Sequence, residues 1–128
     1  MDRESGPTEG DSYTHERTFT REDVREFAGL SGDDQPIHTE PDEQGRLVVQ
    51  GLLTATLPTA IGGDLEVLAS GMDISFRRPV YTGQRVRCEW TTTAVEPVEG
   101  RERDRIEADV ECRVDGAVVL RAEITGLV

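Results

Sequence analysis

Two side chains able to hold and pass a proton near neutrality stand five residues apart in the segment FAGLSGDDQPIH, which runs from Phe27 to His38. They are Asp33 and His38, and Pro36 between them enforces a bend that can turn both toward one water molecule. A carboxylate and an imidazole gripping one water can remove its proton and deliver its oxygen, a service that typically contributes about 10²–10⁴-fold to a rate. The same residues also make an ordinary solvated turn. Asp-Asp-Gln-Pro is good turn chemistry, and a single histidine commonly hydrogen-bonds its own neighbourhood. On these residues alone both readings stand.

Elements on either side must position the pair. Thr20 is a candidate N-cap, with Glu22 and Asp23 in the first turn, and Val24, Phe27 and Ala28 lie on one helical face. Gly32 stops this helix. From Asp33 to Arg46 the pattern is loop-like, punctuated by Pro36, Pro41 and Gly45, and long loops in compact domains are often functional. The stretch VVQGLLTATLPTAIGG, Val48 to Gly63, then contains no charged residue. Leu52, Leu53, Thr56, Leu57 and Ile61 make it apolar nearly all round, the mark of a buried helix. Pro58 should kink it or begin a second turn, and Gly62-Gly63 should end it.

The remainder alternates with period two. Leu68, Ser70, Met72, Ile74 and Phe76 share one face. So do Val86, Cys88, Trp90, Thr92 and Ala94; then Ile106, Ala108, Val110, Cys112 and Val114; then Val118, Leu120, Ala122 and Ile124, with Val119, Arg121 and Glu123 on the wet side. One apolar and one polar face is the signature of an antiparallel sheet covered on one side. Asp115-Gly116 is the strongest hairpin signal. Tyr13 to Thr20 reads as a short strand or extended arm, and Met1 to about Ser12 as a flexible acidic tail. The expected class is therefore α+β, with an antiparallel sheet wrapped around a central apolar helix and one domain over residues 13–128.

Composition narrows the partners. Of 128 residues, 26 are acidic and 14 basic, giving a net charge of −12, and every basic residue is arginine. Such a surface repels nucleic acid and anionic membrane. Strong acidity with no block of like charge suggests adaptation to high salt. Cys88 and Cys112 do not make a disulfide framework and fall on apolar strand faces, so both are expected to be small core residues. Neither neighbours a histidine or a second thiol in metal-ligand spacing, and no metal site is expected. The N-terminus lacks an apolar signal region and no run approaches a membrane span, which points to a cytoplasmic protein.

The motifs carry a resemblance. FAGLSGDDQPIH resembles the pattern F-A-x-L-S-G-D-x-N-P-I-H of the MaoC-like family of acyl-CoA hydratases and dehydratases. VVQGLLTATL is similar to that family's I-A-H-G-M-L-x-x-S-L, and FRRPVYTGQ (Phe76 to Gln84) to its F-x-x-P-V-x-x-G-D. The three blocks occur in the family's order over roughly residues 27–95. The resemblance implies a hot-dog fold, a long helix wrapped by an antiparallel sheet, paired as a homodimer or a higher homo-oligomer. It implies an acyl-CoA thioester substrate, with coenzyme A as part of that substrate and no separate cofactor. Carried onto this chain, the catalytic positions are Asp33 and His38, which hold a water, and the backbone N–H of Gly51, a donor for the enolate-like oxygen of the thioester. Ser31 and Gln50 are candidates for orienting the loop or the thioester. Arg77 and Arg78 are candidates for the phosphates of coenzyme A, although solvated edge-strand arginines are the commoner case.

Three departures stand out. Gln35 replaces the family's Asn, Gln50 replaces its His, and the loop between His38 and Gly51 is a few residues shorter. Two other activities remain open. A hot-dog thioesterase would carry a carboxylate on or beside the central helix, and Leu52 to Ile61 has none. A non-catalytic acyl-thioester-binding protein would fit the altered Gln50 and the shortened loop.

Overall fold

A computed structural model describes residues 6–128. Five strands, β1 (Ser12–Thr18), β2 (Leu68–Phe76), β3 (Arg85–Glu96), β4 (Arg105–Val114) and β5 (Ala117–Leu127), form one sheet in the order β1-β3-β4-β5-β2. Every neighbouring pair is antiparallel. The helical segments are α1 (Arg21–Ser31), α2 (Pro36–Thr39), α3 (Gly51–Thr54) and α4 (Thr56–Asp64). The expected arm is thus the edge strand β1. Part of the expected acidic tail is fixed as well: Pro7 is buried, Gly10 N–H donates to Thr92 O at 2.8 Å, and Thr92 N–H donates to Asp11 O at 2.9 Å. The tail ahead of residue 6 lies outside the described residues.

Alternation in β3 and β4 places Val86, Cys88, Trp90, Thr92, Ile106, Ala108, Val110 and Cys112 in the core, against Leu53, Leu57 and Ile61 of the central helix. Burying such side chains is worth about 1.5–3 kcal/mol each, which makes this face the main source of stability. Trp90 hydrogen-bonds Thr92 Oγ1 through its indole N–H at 3.0 Å, so neither polar atom is left unpaired in the core. Cys88 and Cys112 are directly opposed across β3 and β4 and are buried free thiols. The hydrogen bond between them, and then burial, push the Cys88 thiol's pKa up.

Three places depart from simple alternation. In β2 a bulge at Ser70 puts Ala69, not Leu68 or Ser70, in line with Met72 on the inner face. In β5 the register slips between Cys112 and Arg113, so Val119 has no partner of its own and turns inward to be buried. The central helix begins at Gly51 rather than Val48 and is divided at Ala55. Pro58 explains the division, because it has no N–H to donate to the carbonyl of Thr54. Nor is the helix buried all round: Leu52 is 61% exposed.

On the outer face, Asp73 stands directly opposite Glu123, and Glu123 opposite Asp109, a row of three exposed carboxylates across β2, β5 and β4. Among the described residues none of the three takes part in an ion pair. Like charges directly opposite each other destabilise a sheet by up to about 1 kcal/mol per pair, and ~1 M salt screens them within about 3 Å. Glu123→Gln is therefore expected to raise stability by about 0.5–1 kcal/mol in low salt. Denaturant melts in ~1 M KCl should show that gain disappear as screening takes over; an equal gain in both conditions would refute the charge row as its cause.

Candidate active site

α1 aims Asp33. Thr20 and Asp23 close a capping box at its start, Thr20 Oγ1 accepting from Asp23 N–H and Asp23 accepting from Thr20 N–H. The Thr20 N–H chiefly, with the charge of Arg17, holds the Asp23 carboxyl below the usual carboxylate range. At the other end Gly32 adopts φ +81° and returns its N–H to Ala28 O at 2.9 Å, a left-handed cap that glycine takes without steric cost. Ser31 Oγ donates to Phe27 O at 2.7 Å and accepts from Asp33 N–H at 3.1 Å. The chain leaves α1 on a fixed course, with Asp33 as the first side chain after the cap.

Gln35, extended at ψ 155° as a residue before proline must be, leads into α2 with Pro36 in its first turn. This single turn lies within the stretch expected to be loop. It is too short to form alone and is held by its neighbours. Val48 N–H donates to Ile37 O at 2.9 Å, and His38 Nδ1 lies 2.6 Å from Val48 O. His38 is 4% exposed.

That last bond fixes the histidine's chemistry. A carbonyl only accepts, so Nδ1 carries a hydrogen, and in the neutral form of the ring Nε2 presents a bare lone pair. Nε2 lies 3.4 Å from Asp33 Oδ2. The other carboxylate oxygen, Oδ1, is engaged by Gln35 Nε2 at 2.8 Å. Two acceptors therefore face each other, and what suits the space beside them is a donor with two hydrogens, a water molecule.

The pair opens on a cleft of about 430 Å³ whose walls include Gly51, Thr54, Phe76, Arg77 and Val119. Val48–Gln50 deliver Gly51 to it: Val48 bridges Tyr81, Val49 N–H donates to Val80 O at 2.7 Å, and α3 begins at Gly51. The N–H groups of Leu53 and Thr54 close on Gln50 O, whereas that of Gly51 precedes the first helical bond and is free for a ligand. Gly51 has no room for a side chain, since a Cβ there would lie 2.6 Å from Phe76 Cε1.

Of the seven residues singled out from the sequence, Asp33, His38, Gly51, Arg77 and Arg78 line this cleft, and Ser31 and Gln50 do not. Gln50 is buried and turned toward α1, its Nε2 donating to Val24 O at 3.0 Å and its Oε1 without a partner among the described residues. It ties the first helix to the start of the central one. Ser31 acts on the backbone of Asp33. Arg77 and Arg78 are exposed at the rim, and neither side chain is ion-paired among the described residues. Both of their N–H groups converge on Val119 O, at 2.8 and 3.3 Å. Thr54, Phe76 and Val119 were not anticipated as cleft residues. Phe76 had a signal, as the last inner-face position of its strand beside Arg77-Arg78, and Val119 had none.

A wider groove of about 550 Å³ crosses the outer sheet face, but it is the open, carboxylate-rich surface of Asp73, Asp109 and Glu123 and holds no facing acid–base pair. Among the described residues no group of three or more His, Cys, Asp or Glu side chains is placed to hold a metal ion.

The model of the MaoC like domain matches residues 4–112 of the chain. The chain belongs to the MaoC-like family. A curated relative, the (R)-specific enoyl-CoA hydratase of Rhodospirillum rubrum, is 28% identical over 130 residues, covering 94% of this chain and 87% of that protein. Among solved structures, the (R)-hydratase from A. caviae involved in PHA biosynthesis superposes with a TM-score of 0.77 at 25% identity, over 95% of this chain and 97% of that one. A protein from Archaeoglobus fulgidus gives a TM-score of 0.81 at 27% identity, over 97% and 80% of the two chains. The fold of this MaoC-like chain is the hot-dog fold, and its family is one of hydratases and dehydratases.

Proposed function

We propose that this MaoC-like protein reversibly hydrates trans-2-enoyl-CoA to (R)-3-hydroxyacyl-CoA. The observation that carries the reading is the approach of Asp33 Oδ2 and His38 Nε2 to 3.4 Å, two acceptors when the imidazole is neutral, on the cleft that also receives the start of the central helix. A water donates one hydrogen to each and turns its lone pair toward C3 of the enoyl group. As the O–C3 bond forms, Asp33 takes a proton from the water and the C2=C3 electrons move toward the thioester oxygen. That oxygen becomes enolate-like beside the Gly51 N–H, at the positive end of the helix. A proton held on the Asp33/His38 pair then passes to C2, so that H and OH add to one face and the carboxylate is restored. Arg77 and Arg78, exposed at the cleft rim and without an ion pair among the described residues, are the proposed partners of the phosphates of coenzyme A. These steps use side chains and one amide and call for no metal or redox group, in a cytoplasmic setting where acyl-CoA is made.

Crotonyl-CoA tests the reading. Loss of the conjugated enoyl-thioester absorbance, with (R)-3-hydroxybutyryl-CoA as product and no free thiol, is expected. Thiol release instead would make the protein a thioesterase, and binding without either change would make it an acyl-thioester-binding protein. The thioesterase alternative is disfavoured by the uncharged run from Gly51 to Gly63.

The active form is a homodimer in this reading. Among the described residues β2 is hydrogen-bonded on one side only, by β5, and it carries the exposed apolar side chains Leu68 and Met72. An edge strand that exposes Leu68 and Met72 invites a second copy. Light scattering should give twice the chain mass of 14.1 kDa, and Met72→Asp should shift the population to monomer; a wild-type monomer at all concentrations would remove the dimer.

A further inference from the structure

We propose that Phe76 is the residue that restricts this site to acyl groups unbranched at C2. The inference rests on the thioester reading above and goes beyond it, to which acyl groups the cleft admits.

Phe76 closes β2 and is paired with Leu120, so its ring lies on the inner face of the sheet, toward the central helix. Unlike the buried Trp90 on the same face, it is 54% exposed and lines the cleft. One edge of the ring rests on Gly51: a Cβ built there would lie 2.6 Å from Cε1 and 2.9 Å from both Cδ1 and Cζ. Such distances mean that the ring already occupies the space a side chain at position 51 would take.

The backbone that carries the ring cannot easily retreat. Immediately after Phe76, the N–H groups of Arg77 and Arg78 both bond to Val119 O. Val119 is available because the register slip in β5 leaves it without a strand partner. The irregularity on one strand therefore holds the end of the next, and the ring with it, against the helix start.

A bound enoyl thioester has its carbonyl oxygen at the Gly51 N–H and its C3 at the water held by Asp33 and His38. C2 lies between those two points, beside the ring that touches Gly51. A linear acyl chain presents only hydrogen there. A methyl group on C2 must take space the ring fills, and one methyl misfit in a pocket discriminates by about 10–200-fold. Phe76 is thus a specificity residue, taking no part in proton transfer.

Two saturated thioesters, butyryl-CoA and its C2-branched isomer 2-methylpropanoyl-CoA, report this without any turnover. Calorimetric titration of the wild-type protein should show a preference for the linear thioester of at least about 10-fold. In Phe76→Ala the ratio should fall to within about 3-fold, mainly because the branched ligand binds better. Phe76→Leu serves as the second variant should the alanine protein not fold, and is expected to give an intermediate ratio at an unchanged oligomeric mass. Turnover of crotonyl-CoA and 2-methylcrotonyl-CoA should follow the same order. A wild-type ratio near unity would overturn the inference, as would an undiminished preference in both variants or an equal loss of both ligands. Failure of both thioesters to bind the wild-type protein is a different result, which overturns the functional reading and this inference together.

Discussion

Asp33→Asn is expected to lower kcat for crotonyl-CoA hydration by about 10²–10⁴-fold and leave the fold unchanged. The asparagine is almost the same size, and its oxygen can still accept from Gln35 Nε2, which now holds Asp33 Oδ1 at 2.8 Å. What changes is the atom facing His38. An amide nitrogen placed where Oδ2 stands donates to His38 Nε2 and fills the lone pair that the water requires. The site then loses both its proton acceptor and its grip on the nucleophile. Stability should hardly move, because the Asp33 side chain is 43% exposed and substitutions at solvent-exposed positions usually change stability by about 0.5 kcal/mol or less. A melting midpoint within ~2 °C of wild type, below the shift that about 1 kcal/mol gives a domain of this size, is the control. Full activity in this variant would remove Asp33 as the base.

His38 should respond differently, because it serves both structure and chemistry. Its side chain is buried and its Nδ1 satisfies Val48 O. His38→Ala leaves that carbonyl unpaired and opens a cavity, at a combined cost of about 2–4 kcal/mol, and should also abolish hydration. Loss of activity in that variant would therefore say little about mechanism. His38→Asn separates the roles. The asparagine Nδ2 falls close to the position of the imidazole Nδ1 and can donate to Val48 O, but nothing replaces Nε2. This variant should recover most of the stability lost in His38→Ala and still show kcat at least about 10²-fold below wild type. Retained turnover in His38→Asn would reduce the histidine to a structural tether, and a raised KM with normal kcat would make it a binding residue.

Much of the architecture was legible because alternation and caps are local physics. Val86 to Thr92 and Ile106 to Cys112 keep strict period two, Thr20 and Gly32 bound α1, and Asp115-Gly116 makes the hairpin joining β4 to β5. The misplacements sit where tertiary contacts decide. Val118, Val119 and Leu120 are three consecutive strand formers, and such a run cannot show which residue is the extra one. Leu68 and Ser70 fit the periodicity until the bulge changes the phase. α2 has too few residues to announce a helix, and its bonds to Val48 lie ten residues downstream. At the site, Asp33, His38 and Gly51 were found through motif chemistry, and the rim arginines through their charge. Gln50 was misjudged because a polar residue beside the helix start reads as cleft-facing, whereas its amide is consumed by Val24 O.

The carbonyl that sets the tautomer of His38 belongs to Val48, three residues before Gly51. The carbonyl that holds His38 and the amide proposed as oxyanion donor thus belong to one short ribbon, itself clamped to Val80 and Tyr81. The bond from Val48 O thus couples the placement of the imidazole to that of the Gly51 amide. The opposite bank, made by Phe76 and Val119, hangs from different strands, β2 and β5. One bank is built to be invariant and the other to be retailored, so this architecture can exchange acyl groups over evolutionary time while the reaction stays the same.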